Sequence, residues 1–133
     1  MQLYTQLNFG GTCAEAFAFY AQHLGGTLQM MMRQNEAPDA SPGATDAVIH
    51  ARLDLAGTVL IGNDVPAGRF QNMRSAYLYL QVDSDAEAER IRAALAEGGE
   101  VFMHMDDSFF ASRFMMLRDR FGISWTIIHE RPR

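Results

Sequence analysis

Hydrophobic and polar positions alternate over residues 3–9, with Leu3, Thr5, Leu7 and Phe9 set against Tyr4, Gln6 and Asn8. That period of two predicts a strand with two unlike faces. Gly10-Gly11-Thr12 follows as a turn with a capping hydroxyl. The period then changes: Ala16, Phe17, Tyr20 and Leu24 fall at helical spacing within 13–24, and Gly25-Gly26 marks the helix end. The same grammar returns 73 positions later, where Leu80, Val82, Gly98, Gly99, Val101, Met103 and Met105 answer Leu7, Phe9, Gly25, Gly26, Leu28, Met30 and Met32. Residues 76–82 alternate as a strand, Asp83-Ser84-Asp85 caps a helix over 85–97 with Ile91 and Leu95 inward, and Glu100 to Met105 reads as a further strand.

Each half continues as a hairpin. The first runs from Ala47 to Leu55, turns at Ala56-Gly57 and returns over Thr58 to Asn63; the second runs over Phe114 to Leu117, turns near Gly122 and returns over Ile123 to Ile128. Residues 33–46, with two prolines, read as a loop without a counterpart. The expectation is an α+β fold. A single domain over 1–133 would hold two tandem βαβββ modules, about 1–66 and about 75–133, forming a cup-shaped mixed sheet with helices on its convex side.

Composition removes several chemistries. The one cysteine, Cys13, excludes an internal disulfide and a cysteine-built metal site, and a cytoplasmic setting is the default. All 11 basic residues are arginine, so no lysine is there for a Schiff base or a phosphate-binding loop. A net charge of −5 without a basic block argues against a nucleic-acid partner. No apolar run is long enough to span a bilayer, and the N-terminal segment has no signal-peptide pattern.

The order and spacing of a set of short motifs resemble the vicinal oxygen chelate superfamily of glyoxalases, bleomycin resistance proteins and extradiol dioxygenases, and most closely its PhnB-like branch. They are Leu7-Asn8-Phe9-Gly10-Gly11, Glu15-Ala16, Phe19-Tyr20, Leu24-Gly25-Gly26, Ile49-His50-Ala51 and Gly62-Asn63-Asp64 with Pro66. Later come Phe109-Phe110, Arg113-Phe114, and Asp119-Arg120-Phe121-Gly122 with Trp125. Some members of the branch are labelled as methyltransferases. That chemistry is not expected here, because one short glycine turn does not supply a parallel nucleotide-binding fold.

The resemblance implies a divalent metal held on four strands, acting as a Lewis acid on two neighbouring substrate oxygens. Carried over by motif, its four positions fall at Tyr4 or Thr5, Ile61, Tyr77 and Thr126. Isoleucine has no donor atom, and neutral phenols and hydroxyls ligate zinc or nickel poorly. No metal and no cofactor are therefore expected.

What remains is a wall. If the aliphatic residues Ile49, Ala51, Leu53 and Leu55 pack beneath the helices, then Val48, His50 and Arg52 face the concave side. With them come Tyr4, Gln6, Asn8, Ile61, Asn63, Tyr77, Tyr79, Gln81, Thr126 and Ile128. Neutral hydrogen-bonding groups among aromatics suit a small organic ligand with an apolar or aromatic body. His50 is either a ligand contact or a wall residue satisfied by a hydrogen bond. Phe109 and Phe110 either pack beneath their loop, the simpler expectation, or close over a ligand as a lid. Asp64 either anchors its own turn or, with His50 and Tyr77, forms an acid/base set. His23 and His129 are expected at helix and chain ends facing solvent, and His104 with Asp106 on one strand face does not make a metal site. Arg113 and Arg120 are expected to pair with Asp119 or Asp107. The leading expectation is a metal-free small-molecule binder, homodimeric by the resemblance; the alternative is a lyase, isomerase or dioxygenase with a displaced metal or an acid/base site around His50.

Overall fold

A computed structural model describes residues 1–132. The chain divides between Phe70 and Gln71 into two units, Met1–Phe70 and Gln71–Arg133. The first unit carries β1 (Thr5–Phe9), α1 (Cys13–Leu24), β2 (Thr27–Arg33), β3 (Val48–Leu55) and β4 (Thr58–Asp64). The second carries β5 (Leu78–Gln81), α2 (Asp85–Ala96), β6 (Glu100–Asp106), β7 (Ala111–Arg118) and β8 (Ser124–Glu130). Each is a βαβββ module with a mixed four-stranded sheet, ordered β1-β4-β3-β2 in one and β5-β8-β7-β6 in the other. The first and last strands of each module pair in parallel and the remaining neighbours are antiparallel. The fold class is α+β, as the alternation implied. No helix among the described residues is long and apolar enough to cross a membrane.

Each helix covers one face of its own sheet. In the first module Phe9, Phe17, Tyr20, Leu53 and Leu60 are buried, with the Phe9 and Phe17 rings edge to face at 5.8 Å. In the second, Ala88, Ile91 and Leu95 of α2 are buried with Trp125 and Ile127. The paired glycines divide two tasks. Gly25 and Gly98 take φ of 79° and 72° just past the helices, where a left-handed residue closes the last turn. Gly26 and Gly99 lie against backbone: a Cβ on Gly26 would stand 3.0 Å from the carbonyl oxygen of Asp54, and one on Gly99 would collide with that of Arg118. Helix stop and close strand approach thus require two glycines in succession, which is why the pair occurs in both halves.

The module repeat extends to an irregularity that periodicity does not show. Register shifts place one extra residue in β2 between Leu28 and Met30, and one in β6 between Val101 and Met103. These are Gln29 and Phe102, at corresponding positions of the repeat. A further bulge corrects the expected faces of β3. Met32 pairs with His50 but Arg33 pairs with Val48, so Ile49 is the extra residue. Its insertion inverts the alternation: Val48 is fully buried rather than on the open face, and Ile49 is 44% exposed rather than beneath the helix. Strand β7 begins at Ala111, three residues before the expected start, and the expected loop 33–46 contains a turn of 3-10 helix over Gln34–Glu36.

Candidate functional site

In the first module, the sheet face opposite α1 gathers most of the expected wall. Strand register sets Gln6 beside Ile61, Ile61 beside Arg52, and Arg52 beside Met30, so these four side chains form one row across all four strands. Asn8 pairs with Asn63, and His50 with Met32. Gln6 donates from Nε2 to Asn63 Oδ1 at 2.8 Å, fixing two neutral amides in one orientation. Tyr4, 43% exposed, lies just ahead of β1, and the Arg52 guanidinium sits 5.2 Å from the centre of its ring. Tyr4, Gln29, Arg52, Asp54 and Val59 line a recess of about 260 Å³. His50 is exposed on the same face. Thr5 is placed on the other side of β1, in step with buried Leu7 and Phe9, so Tyr4 is the first-strand position that faces the open side.

Asp64 is not on this wall. Its Oδ1 accepts from the backbone N–H of Gly11 at 3.2 Å and of Cys13 at 2.9 Å, and its Oδ2 accepts from Val48 N–H at 2.9 Å. The carboxylate therefore caps α1 and ties it to β3, instead of anchoring its own turn. Thr12, which local reading makes the capping hydroxyl, forms no side-chain cap bond. With both oxygens engaged by backbone donors, Asp64 is committed to the helix end and not to a set with His50 and Tyr77.

In the second module, the corresponding row is Tyr79, Thr126, Met116 and Met103. Tyr79 is 58% exposed and its phenol donates to Glu130 Oε1 at 3.1 Å. Desolvation first, then this hydrogen bond, holds its pKa above the ordinary tyrosine value. Gln81, Ile128 and Phe114 are register neighbours on this sheet. Thr126 and Ile128, expected on an open wall, are buried at 5% and 1% exposure. The central strand β8 is buried on both faces from Ser124 to Ile128, so its polar residues Ser124 and Thr126 do not mark an open face. Tyr77 precedes β5, half-buried; its hydroxyl accepts from Arg74 Nη1 at 2.6 Å and its ring meets that of Phe102 edge on at 6.3 Å.

Phe109 is 93% exposed and Phe110 42%, which corrects the expectation that both pack beneath their loop. They stack edge to face at 5.2 Å, and Phe110 rests on Phe114 at 5.4 Å. Together with Glu130, Arg131 and Pro132 they line a recess of about 300 Å³.

A polar cluster escaped sequence reading. Ser112 Oγ donates to Asp85 Oδ1 at 2.5 Å and lies 3.0 Å from His129 Nδ1, which is itself 2.8 Å from Asp85 Oδ1. Arg113 adds ion pairs to Asp85 at 3.5 Å and Glu89 at 3.3 Å. His129 is thus a half-buried residue near the end of β8, held by Asp85 and Ser112 and not free in solvent. Arg113 pairs with helix α2, and Asp107 instead meets Arg131 at 3.4 Å. The hydrogen bonds of His129 and Ser112, in that order, and the charge of Arg113 hold the Asp85 carboxyl below its ordinary pKa. Because serine and histidine converge on one carboxylate oxygen through Nδ1, the group fastens the first turn of α2 to β7 and β8 and does not relay a proton from serine to histidine to acid. No pattern in the sequence exposes it, because a bulge that shifts β7 against β8 between Ala111 and Arg113 places Ser112 out of the regular alternation.

The positions carried over for a metal do not fit one. Ile61 is hydrocarbon in the middle of its row, Tyr77 is engaged with Arg74, and Thr126 is buried. Among the described residues no group of three or more His, Cys, Asp and Glu converges as a donor set.

Comparison with known proteins follows the same outline. A family model described as 3-demethylubiquinone-9 3-methyltransferase matches residues 1–128. Protein YjdN of Escherichia coli (strain K12) is 27% identical over 139 residues, covering 96% of this chain and 94% of that protein. The crystal structure of protein PA1353 from Pseudomonas aeruginosa is similar at a TM-score of 0.88 and 39% identity, over 99% of both chains. A putative 3-demethylubiquinone-9 3-methyltransferase, PhnB protein, from Bacillus cereus is similar at 0.84 and 25% identity, over 97% of this chain and 99% of that one.

Proposed function

The chain belongs to the family described as 3-demethylubiquinone-9 3-methyltransferase, within the PhnB-like part of the vicinal oxygen chelate superfamily, and we propose that it is a metal-free binder of a small organic molecule. One observation carries the reading: the row Gln6, Ile61, Arg52 and Met30, in which the superfamily's metal position is held by a hydrocarbon side chain amid oriented neutral amides, an arginine and a tyrosine ring. Such a surface has hydrogen-bonding groups to orient a ligand and an apolar stripe to hold its body. Among the described residues no three His, Cys, Asp or Glu side chains converge there to hold a metal Lewis acid.

The activity in the family's description is not carried over. The one glycine turn that opens a helix here, Gly10-Gly11, has its Gly11 N–H and the following Cys13 N–H committed to Asp64, and a Cβ on Gly10 would stand 3.0 Å from the Phe70 ring. A charged cofactor would find that helix end already occupied by a carboxylate.

A thermal-shift screen of small organic acids, amides and phenols, with and without zinc, nickel and manganese, tests the proposal. Stabilisation by an organic compound that is independent of added metal is the expected result. Stoichiometric metal in protein purified without chelator, or stabilisation that requires metal, overturns it. A homodimer and a cytoplasmic setting complete the reading; sedimentation equilibrium returning a monomer at micromolar concentration would remove the first of these.

A further inference from the structure

Arginine 52 is unlike the other arginines whose contacts are described. Arg92, Arg113, Arg118 and Arg131 each meet a carboxylate, Arg33 donates to the carbonyl oxygen of Asp46, and Arg74 donates to the Tyr77 hydroxyl. Arg52 Nε is buried and finds no hydrogen-bond acceptor among the described residues. The acid that shares its recess, Asp54, lies two residues along β3 and accepts from Gln29 Nε2 through Oδ2 at 2.8 Å. The ring of Tyr4, 5.2 Å from Arg52 Cζ, is the partner the guanidinium does have. A ring over its face supplies no acceptor to a guanidinium's N–H groups, and a desolvated donor such as Nε without an acceptor is costly enough that native structures rarely leave one so. Arginine presents that edge as a fork matched to carboxylate and phosphoryl oxygens.

We propose that Arg52 is the anchor for an oxyanion, a carboxylate or phosphoryl group, carried by a small organic ligand. The ligand's body lies in the recess along Tyr4 and Val59, with Ile61, Met30 and the amides of Gln6 and Asn63 in the rows beside Arg52. This rests on the reading of the first module's open face as a ligand wall, and it adds the charge of the ligand and the residue that reads it. Asp54 stands against any second negative group in the same recess, so the ligand carries one anionic end and not several. A recess of about 260 Å³ suits a ring bearing one such group.

The test is nuclear magnetic resonance on the full chain, following the arginine Nε–Hε signals and the backbone amides. The probes are benzoate, phenylphosphonate, neutral benzamide and inorganic phosphate, each at millimolar concentration. The Arg52 signal is identified by its loss in Arg52→Gln. Benzoate or phenylphosphonate is expected to shift that signal and the amides of Gln6 and Ile61, benzamide to shift them far less, and Arg52→Gln to weaken binding about tenfold or more. The preferred anion between benzoate and phenylphosphonate identifies the oxyanion. Equal responses to benzamide and benzoate overturn the anchor and leave the small-molecule reading standing. Inorganic phosphate reproducing the organic anions overturns it too, because the ligand's body would then contribute nothing. Silence of the whole face toward all four probes overturns both. The benzoate against benzamide comparison uses wild-type protein, so it holds even if Arg52→Gln folds poorly.

Discussion

Replacing Asp64 by alanine removes one carboxylate and leaves three backbone donors without their acceptor. The Cys13 N–H at 2.9 Å is the helix cap, and losing a cap costs about 1 kcal/mol. The Val48 N–H, also at 2.9 Å and part-buried, adds roughly 1–2 kcal/mol when orphaned. The Gly11 N–H, longer at 3.2 Å and exposed, is readily rehydrated and adds about 0.5 kcal/mol. The total is about 2–4 kcal/mol, which for a chain of this size lowers the melting temperature by about 6–15 °C. Asp64→Asn keeps one acceptor oxygen but turns an amide N–H toward a backbone donor, so about half of that loss is expected. The assay is thermal and urea denaturation of both variants, with native-state hydrogen exchange. Exchange at Cys13 and Val48 should rise more than at amides of the second module. A melting temperature within about 2 °C of wild type for Asp64→Ala would refute the reasoning, by showing that water replaces the carboxylate at no cost. Loss of ligand binding in a fully stable Asp64→Asn protein would do so from the other side, by returning Asp64 to the site.

Two further predictions concern groups that the fold has committed elsewhere. Because the folded pKa of Asp85 is depressed below its ordinary 3.8, its contacts with His129 and Ser112 add stability above that pH and lose it as pH falls through the lower folded value. Ser112→Ala should therefore melt below wild type at neutral pH, and the gap should close in strong acid; a gap that is constant across the acid range would refute it. The Cys13 thiol, buried and pushed up to about 12 chiefly by desolvation and next by the charge of Asp64, should resist thiol reagents near neutral pH in the native protein. Gly62→Ala should speed that labelling, since a Cβ there would stand 2.5 Å from Phe17 Cζ and 3.0 Å from Cys13 Sγ, with overpacking of this kind costing about 1–3 kcal/mol; unchanged labelling would show that the helix retreats without opening.

The chain's own pattern determined the modules. The alternation over 3–9, the helical spacing over 13–24 and the doubled glycines each state a local conformational demand, and such demands survive whatever the rest of the molecule does. Helix α1 accordingly runs Cys13–Leu24 in the structure, and Gly25 takes its left-handed turn. The row Gln6, Ile61 and Arg52 was legible for the same reason, since side-chain direction in a regular strand follows from parity alone.

Parity fails wherever pairing inserts a residue, and that is decided by a partner strand and not by the inserted residue. The bulge at Ile49 exchanged the faces of Ile49 and Val48, and the one near Ser112 helped turn a hydroxyl toward His129 and Asp85. Strand β8 misled because Ser124 and Thr126 alternate with Trp125 and Ile127 like the open side of a strand, although both faces are buried. The roles of acidic residues were equally remote from their neighbours in sequence. Asp64 caps a helix that begins 51 positions earlier, although Thr12 stands at the local capping position. Asp119 is the local exception: it accepts from the Phe121 and Ile123 amides and from the Trp125 indole within its own turn, a buried arrangement that fixes the β7–β8 connection. A carboxylate acquires its work from whichever unsatisfied donors the fold brings within 3 Å, and a linear pattern does not carry that distance.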